Sequence, residues 1–477
     1  MAVSYYERLS ALDASFLGLE VPNARWHEAA VLIFDRAPLC TDDGGIDVDK
    51  ITRLYECFFP RVERYRQKLG KIPLLNHPIW IDDPAFNIRY HIRHIALPKP
   101  GSERILKRVC GYILSQPLDL TKPLWEVWIV DGLDKDRFAL VTKAHHCMVD
   151  GVSGMDMLAN LLKPYPSDLT EQSRPWLPRK APVGVTLLKD ELQRRMRAPY
   201  QLLKPLRHPR RAWKSARDVA QGIAEASRLG WNAASQTPFN PKEIGPHRRF
   251  DWSEIPLADI KDVKETLLGT VNDVVLATAA GALGRFLRAH HTSTRDIDFR
   301  ALIPVSVRTG EEENKLGNRV AMMMARLPVD ETDPVERLRL VADTMNELKG
   351  SKQAIGVRWL EEFSDLVAGR LFLELSKSAT RTRPFNVAVT NVRGPQFPLY
   401  LLGARMHALY PMMPLFSNQA LGMAVLSYND KVFWGFNSDW DWLPDLHDVV
   451  EAVDRDFYEL HRAALQSKPS AHVEIHA

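Results

Sequence analysis

Cysteine is scarce in this chain. Cys40, Cys57, Cys110 and Cys147 are scattered and form no CxxC pair, so neither a disulfide framework nor a paired-thiol metal site is written into it. A reducing cytoplasm is the compartment that follows. Long apolar runs are missing as well: none reaches the roughly 18 uninterrupted residues that a spanning helix needs. The stretch MAVSYYERLSALDASFLGLE carries charges where a signal peptide would keep its apolar core. An excess of one charge is also absent. The 63 Lys and Arg against 59 Asp and Glu leave +4, too little to argue for a nucleic-acid partner. The HExxH spacing of a catalytic zinc site does not occur, and no metal is expected. Gly151-Val152-Ser153-Gly154-Met155 puts methionine where a serine nucleophile elbow requires glycine.

What is present is an ordinary globular composition, 45% hydrophobic and 26% charged over 477 residues, enough for two to three domains. His27 to Asp35 reads as a strand. Val48 to Lys71 has helical spacing interrupted by Pro60, Ile79 to Leu97 is β-rich, and Glu103 to Ser115 presents one apolar helical face. Trp125 to Val130 and Phe138 to His145 form a hairpin across a polar turn, and helical spacing returns after Gly151. Further on, Thr270 caps a helix over Val274 to Leu287. Strands are expected at Asp296 to Val307, Val320 to Leu327, Phe385 to Thr390 and Gly422 to Tyr428. The last pairs through Asn429-Asp430 with Lys431 to Phe436. Helices are expected at Pro334 to Lys349 and Leu446 to Leu465. These signals divide the chain into an N-terminal domain over 1–165, a basic and partly helical linker over 166–245, and a C-terminal domain over 246–477.

The linker has a character of its own. Prolines break it from Pro164 to Pro182, and from Arg194 to Arg217 it carries nine basic residues and no acidic one. Leu188, Leu192 and Met196 recur at i, i+4 spacing. Two readings stay open: amphipathic helices lying on an anionic membrane or lipid-droplet surface, or a solvated helical face packed against the two domains.

The segment with the most chemistry is Lys143-Ala144-His145-His146-Cys147-Met148-Val149-Asp150-Gly151, where a strand ends and a helix begins. Adjacent side chains on a strand face opposite ways, so one histidine serves a cleft and the other is buried or bonded elsewhere. Asp150 at the turn is suited to fixing the loop, and Gly151 relieves crowding at the helix start. A neutral imidazole held this way can take a proton from a hydroxyl near neutral pH. Cys147, diverging from His146, reads as a small buried residue.

HHCMVDG resembles the HHxxxDG motif of the chloramphenicol acetyltransferase-like superfamily of CoA-dependent acyltransferases. LSALDASFLGLE, PLDLTKPLWEVWIVDGL, TPFNPKEIGPHRRF, TVNDVVLATAAGALGRFL, LIPVSVR and VTNVRGP, in this order, narrow the resemblance to the bacterial wax ester synthase/diacylglycerol acyltransferase family over nearly the whole chain.

The resemblance implies an α/β (α+β) fold of two chloramphenicol acetyltransferase-like domains, each a mixed β-sheet with flanking helices, and an active-site tunnel at their interface. It implies transfer of a long-chain acyl group from acyl-CoA, a co-substrate, to a fatty alcohol or diacylglycerol hydroxyl, with no cofactor and no covalent acyl-enzyme. His146 would be the general base, His145 its support and Asp150 the holder of the loop, with Gly151 beside them. Pro123, Leu124 and Trp125 would pack beside the acyl tunnel. Asn272 and Asp273, Ser306 and Arg308, and Asn391 and Arg393 would shape the site from the second half, Asn391 being the first candidate for an oxyanion donor. Read without the family, Asn272-Asp273 is a helix cap, Arg308 a surface or ion-paired arginine and Asn391 to Pro395 a turn. Transfer to another hydroxyl acceptor, or a non-catalytic lipid-binding or droplet-coating role, remains the alternative. The expected location is the cytoplasm, or the periphery of the inner membrane face or of lipid droplets.

Overall fold

Alternating β-branched and aromatic residues organise this chain around two sheets. The structure is a computed structural model that describes residues 5–148, 161–167, 176–203, 233–306, 320–350 and 382–467. The helix expected just after Gly151 and the basic stretch beyond Leu203 lie outside those residues.

In the first half the described elements are β1 (Glu7–Arg8), α1 (Ala11–Leu19), β2 (His27–Asp35), α2 (Val48–Phe58), β3 (Gln67–Lys71), β4 (Pro78–Asp82), α3 (Ile88–His91), β5 (Ile92–Ala96), α4 (Glu103–Ser115), β6 (Trp125–Leu133) and β7 (Arg137–His145). The helical spacing read from Val48 to Lys71 ends earlier than expected. α2 stops at Phe58, two residues before Pro60, and the chain returns as β3 to pair with β4. A proline inside a helix would lose a backbone hydrogen bond and clash with the preceding turn. α5 (Gly184–Leu203) follows. It docks through Leu187, buried with Ile72 and Ile79, and through Asp190, which accepts from the Tyr6 hydroxyl at 3.1 Å.

The second half contains β8 (Arg248–Pro256), α6 (Leu257–Thr266), α7 (Val271–Ala289), β9 (Arg300–Ser306), β10 (Val320–Arg326), α8 (Pro334–Gly350), β11 (Val387–Arg393), β12 (Tyr400–Leu401), β13 (Ala404–Met412), β14 (Leu421–Tyr428), β15 (Lys431–Asp439) and α9 (Leu446–Ser467). The β14–β15 turn places Asn429 and Asp430 at φ 45° and 61°, the left-handed pair that a tight hairpin needs.

Both large sheets are mixed, as expected for this class. One runs β10-β9-β11-β14-β15-β8, with β11 parallel to β9 and β14. The other runs β12-β13-β2-β7-β6-β5, with β5 parallel to β6. The fold is therefore α/β with two sheet-containing halves. β13 comes from the C-terminal part of the sequence yet pairs with β2, from Met412 opposite Ala29 to Met406 opposite Phe34. The halves also meet where α4 crosses β8. A Cβ on Gly111 would lie 2.6 Å from the Arg248 carbonyl, so only glycine permits that approach.

Each half has its own core. In the first, Trp125 is buried against Tyr55, Phe59, Tyr65 and His91. In the second, α7 is buried on nearly every side. It is held there by Arg337, which is bonded to the Ala277 carbonyl at 3.0 Å and to Asp456 at 2.8 Å.

Candidate active site

β7 pairs with β2 along its length, ending at His145 opposite His27. The His146 N–H extends the ladder by donating to the Trp26 carbonyl at 2.7 Å, and the His145 N–H donates to the Leu124 carbonyl at 2.9 Å. The backbone of both histidines is thus fixed from two sides, and their side chains diverge.

His145 points into protein and is fully buried. Its Nδ1 accepts from the Cys147 N–H at 3.1 Å, which leaves Nε2 to donate to Glu20 at 3.1 Å. Glu20 also pairs with Arg25 at 3.1 Å. Burial works against charge on Glu20, but His145 and Arg25 outweigh it and hold the carboxyl below its usual range. Beside them His27 is buried with its ring 6.0 Å from that of His145. Burial, then the nearby Lys143, pushes its pKa well down, so it is neutral at physiological pH.

His146 faces the other way and is a quarter exposed. Its ring lies 4.2 Å from that of Phe16 and 5.9 Å from that of Trp26. Trp26 in turn meets Phe416 edge-on at 5.0 Å, and Phe416 meets Phe385 at 5.1 Å, so the histidine sits at one end of an aromatic chain joining the halves. Nδ1 of His146 is buried, with Glu28 Oε1 at 2.8 Å. The carboxylate is close but out of line with the N–H, so this is a charge contact, not an aligned hydrogen bond. Burial disfavours the imidazolium. Glu28 and, behind it, Asp13 more than offset that and raise the pKa above 6.5. Because Nδ1 is buried, the exposed part of the ring lies elsewhere, and Nε2 remains to exchange a proton. Cys147 is buried and its thiol pKa is driven up by burial, so it is no nucleophile.

Pro123, Leu124 and Trp125 are all buried. Trp125 donates from Nε1 to the Tyr65 carbonyl at 2.8 Å, and Leu124 carries the carbonyl that anchors His145. In the second half, Asp273 closes a capping box with Thr270: its carboxylate accepts from the Thr270 N–H at 2.8 Å. Its other oxygen is buried without a hydrogen-bond partner. The neighbouring Asn272 accepts from Asn391 Nδ2 at 3.3 Å, so these two sequence-derived candidates meet. Arg393 is exposed near the end of β11, and Ser306 ends β9. Asp150, Gly151 and Arg308 lie outside the described residues.

Sequence reasoning missed four contributors. Asp13 and Phe16 on α1, and Glu20 at its end, reach the two histidines from opposite sides, and Glu28 comes from β2. The first three belong to LSALDASFLGLE, so the segment that carried a family resemblance is also the one that frames the histidines.

Residues 9–275 match the model of the wax ester synthase/diacylglycerol acyltransferase catalytic domain, and residues 316–461 match that of the WS/DGAT C-terminal domain. The chain belongs to the wax ester synthase/diacylglycerol acyltransferase family. Membership makes it an acyl-CoA-dependent O-acyltransferase and leaves the non-catalytic reading without support. A relative from Mycobacterium tuberculosis, named as a diacylglycerol O-acyltransferase, is 33% identical over 95% of this chain and 90% of its own length. The O-acyltransferase WSD of Acinetobacter baylyi is 28% identical over 94% and 95%. Among solved structures, the family's enzyme from Marinobacter aquaeolei VT8 superposes with a TM-score of 0.66 at 27% identity, covering 96% of this chain and 99% of its own. The starter condensation domain of rhizomide synthetase shares the fold at a TM-score of 0.59 and 15% identity, over 96% of this chain and 94% of its own.

Proposed function

We propose that this protein transfers a long-chain acyl group from acyl-CoA to the hydroxyl of a fatty alcohol or a diacylglycerol, with His146 as general base. The observation that carries the reading is the state of the His146 ring: Nδ1 buried against Glu28, and Nε2 left to act. Nε2 takes the hydroxyl proton as the oxygen attacks the thioester carbonyl. The tetrahedral oxyanion collapses, the carbon–sulfur bond breaks, and the imidazolium returns the proton to the CoA thiolate. General base assistance is worth about 10²–10⁴-fold, and holding both substrates in a tunnel between the halves supplies much of the rest. Asn391 is the proposed oxyanion donor. Its amide has two N–H bonds, of which Asn272 occupies one. Asp150 keeps the loop after His146 in place.

The test is CoA release from palmitoyl-CoA with hexadecanol, with a diacylglycerol and with no acceptor. Acceptor-dependent release that vanishes in His146→Ala supports the reading and ranks the acceptors. Full activity in His146→Ala, from a folded protein, overturns it.

Peripheral attachment to a lipid surface is part of this proposal. Val185, Leu192 and Met196 are exposed on α5, at spacings that share one helical face and lead into the basic run that begins at Arg194. No single helix among the described residues is long and apolar enough to cross a membrane. Charge reversal at Arg194, Arg195 and Arg197 should weaken binding to anionic vesicles; unchanged partition argues for a merely solvated helix.

A further inference from the structure

A cavity of about 580 Å³ opens where α4 of the first half crosses the start of β8 of the second. Five cationic side chains line it: Arg104, Lys107 and Arg108 from α4, and Arg248 and Arg249 from β8. Asp251 is the one carboxylate in that lining, and it is already engaged, by an ion pair with Lys107 and by His447 Nδ1 at 2.9 Å. Positive charge is therefore in excess within a concave site.

The cations differ in what they have left to give. Arg248 is buried and spent: its guanidinium donates to the carbonyls of Gly245, His247 and Asn23 and pairs with Asp439. Arg249 lies over the Trp440 ring at 3.8 Å and donates from Nε to the Trp440 carbonyl, which leaves its terminal nitrogens uncommitted. Arg104 and Arg108 are exposed, and among the described residues neither has a carboxylate partner. They stand at i and i+4 on one helix, a like-charge spacing that disfavours the helix unless an anion is shared between them.

Two guanidinium forks one helical turn apart on α4 and a third held over an indole offer donors suited to the oxygens of a phosphate ester. Trp440, 39% exposed, offers an apolar face to whatever the phosphate is attached to. We propose that this cavity binds a phosphorylated small molecule through Arg104, Arg108 and Arg249. The bound anion joins the two halves at their crossing. None of the lining residues touches the His146 ring, and binding here requires no acyl transfer, so the proposal stands whether or not the acceptor assignment does.

The phosphate could belong to a nucleotide such as the bisphosphate end of CoA, or to a glycerol phosphate headgroup. Calorimetric titration of the whole chain with adenosine 3′,5′-bisphosphate and, separately, sn-glycerol 3-phosphate distinguishes the sources. Arg104→Ala/Arg108→Ala and Arg249→Ala should each weaken the probe that binds by about tenfold or more. Arg295→Ala, an exposed cation outside the cavity lining, should leave it unchanged. Thermal melts confirm that the variants fold. The proposal is overturned if neither probe binds wild type, if the cavity variants bind as wild type does, or if Arg295→Ala weakens binding equally.

Discussion

Glu28 meets His146 on the Nδ1 side of the ring, 2.8 Å away, from β2, which begins one residue after the Trp26 carbonyl that holds the histidine's N–H. A carboxylate there stabilises the imidazolium that forms when Nε2 accepts a proton, which strengthens the base at the step where base strength counts. It also fixes the working range. With the pKa above 6.5, the free base is the minor form below that pKa and grows as pH rises.

The acid limb of kcat/KM should therefore lie above pH 6.5 in wild type and move to lower pH in Glu28→Gln. The plateau rate of the variant should fall by about tenfold, as a weaker base requires. Stability carries the same sign. The raised folded pKa adds stability below the unfolded value of 6.5, and this is lost as pH rises through the folded pKa. Thermal melts of Glu28→Gln across pH 5 to 9 should lack that component (roughly the window in which histidine titrates). An unshifted acid limb would remove Glu28 from the mechanism.

The two histidines should fail in different ways. His146→Ala should lose about 10²–10⁴-fold in kcat while its melting temperature stays near wild type. His145→Ala takes the donor from Glu20 Oε2 and leaves Arg25 alone on the other oxygen, at a cost of about 1–3 kcal/mol. Its lost activity should track lost fold, measured by denaturant midpoint beside the assay.

Asn391→Ala should reduce kcat by about 10²–10³-fold with little change in KM, as loss of an oxyanion donor does. Asn272→Ala, which removes the acceptor holding Asn391, should have a smaller effect. Single-turnover rates of both variants check the order, and equal wild-type rates would leave Asn391 a strand residue with no part in the chemistry.

Gly281→Ala tests the second half apart from the chemistry. A Cβ there would lie 2.1 Å from Asp456 Oδ1 and 2.4 Å from Arg337 Cζ, forcing apart a buried ion pair whose loss costs about 3–5 kcal/mol. A large drop in the denaturation midpoint is expected. A drop below 1 kcal/mol, on the order of a tolerated surface change, would show that the pair can shift aside.

Much of this was legible in the sequence. β2, α4, the β6–β7 hairpin and the Asn429-Asp430 turn follow from periodicity and turn chemistry, and the histidine segment was visible as a strand end. β8 and α6 were not. In β8 the alternation of Phe250 and Trp252 with Asp251 and Ser253 breaks at Glu254-Ile255, and the polar Arg248, Asp251 and Ser253 are buried too. Glu28 was hidden for a related reason. On a half-buried strand one glutamate looks like an ordinary solvent-facing residue, and only the pairing of β2 with β7 sets it beside His146. The partner of β13 was equally invisible, since pairing between residues as distant as Val31 and Tyr410 leaves no local trace.

That pairing has a cost during synthesis. Until Ala404–Met412 leaves the ribosome, β2 has one open edge while nearly all the rest of its half is already made. An unpaired strand edge of Val31, Leu32, Ile33 and Phe34 is a template for pairing with the wrong chain. Expressing the first 390 or so residues alone should thus yield aggregate, and supplying the missing C-terminal segment in trans should rescue it. The two halves are one folding unit, closed by nearly the last strands to be translated.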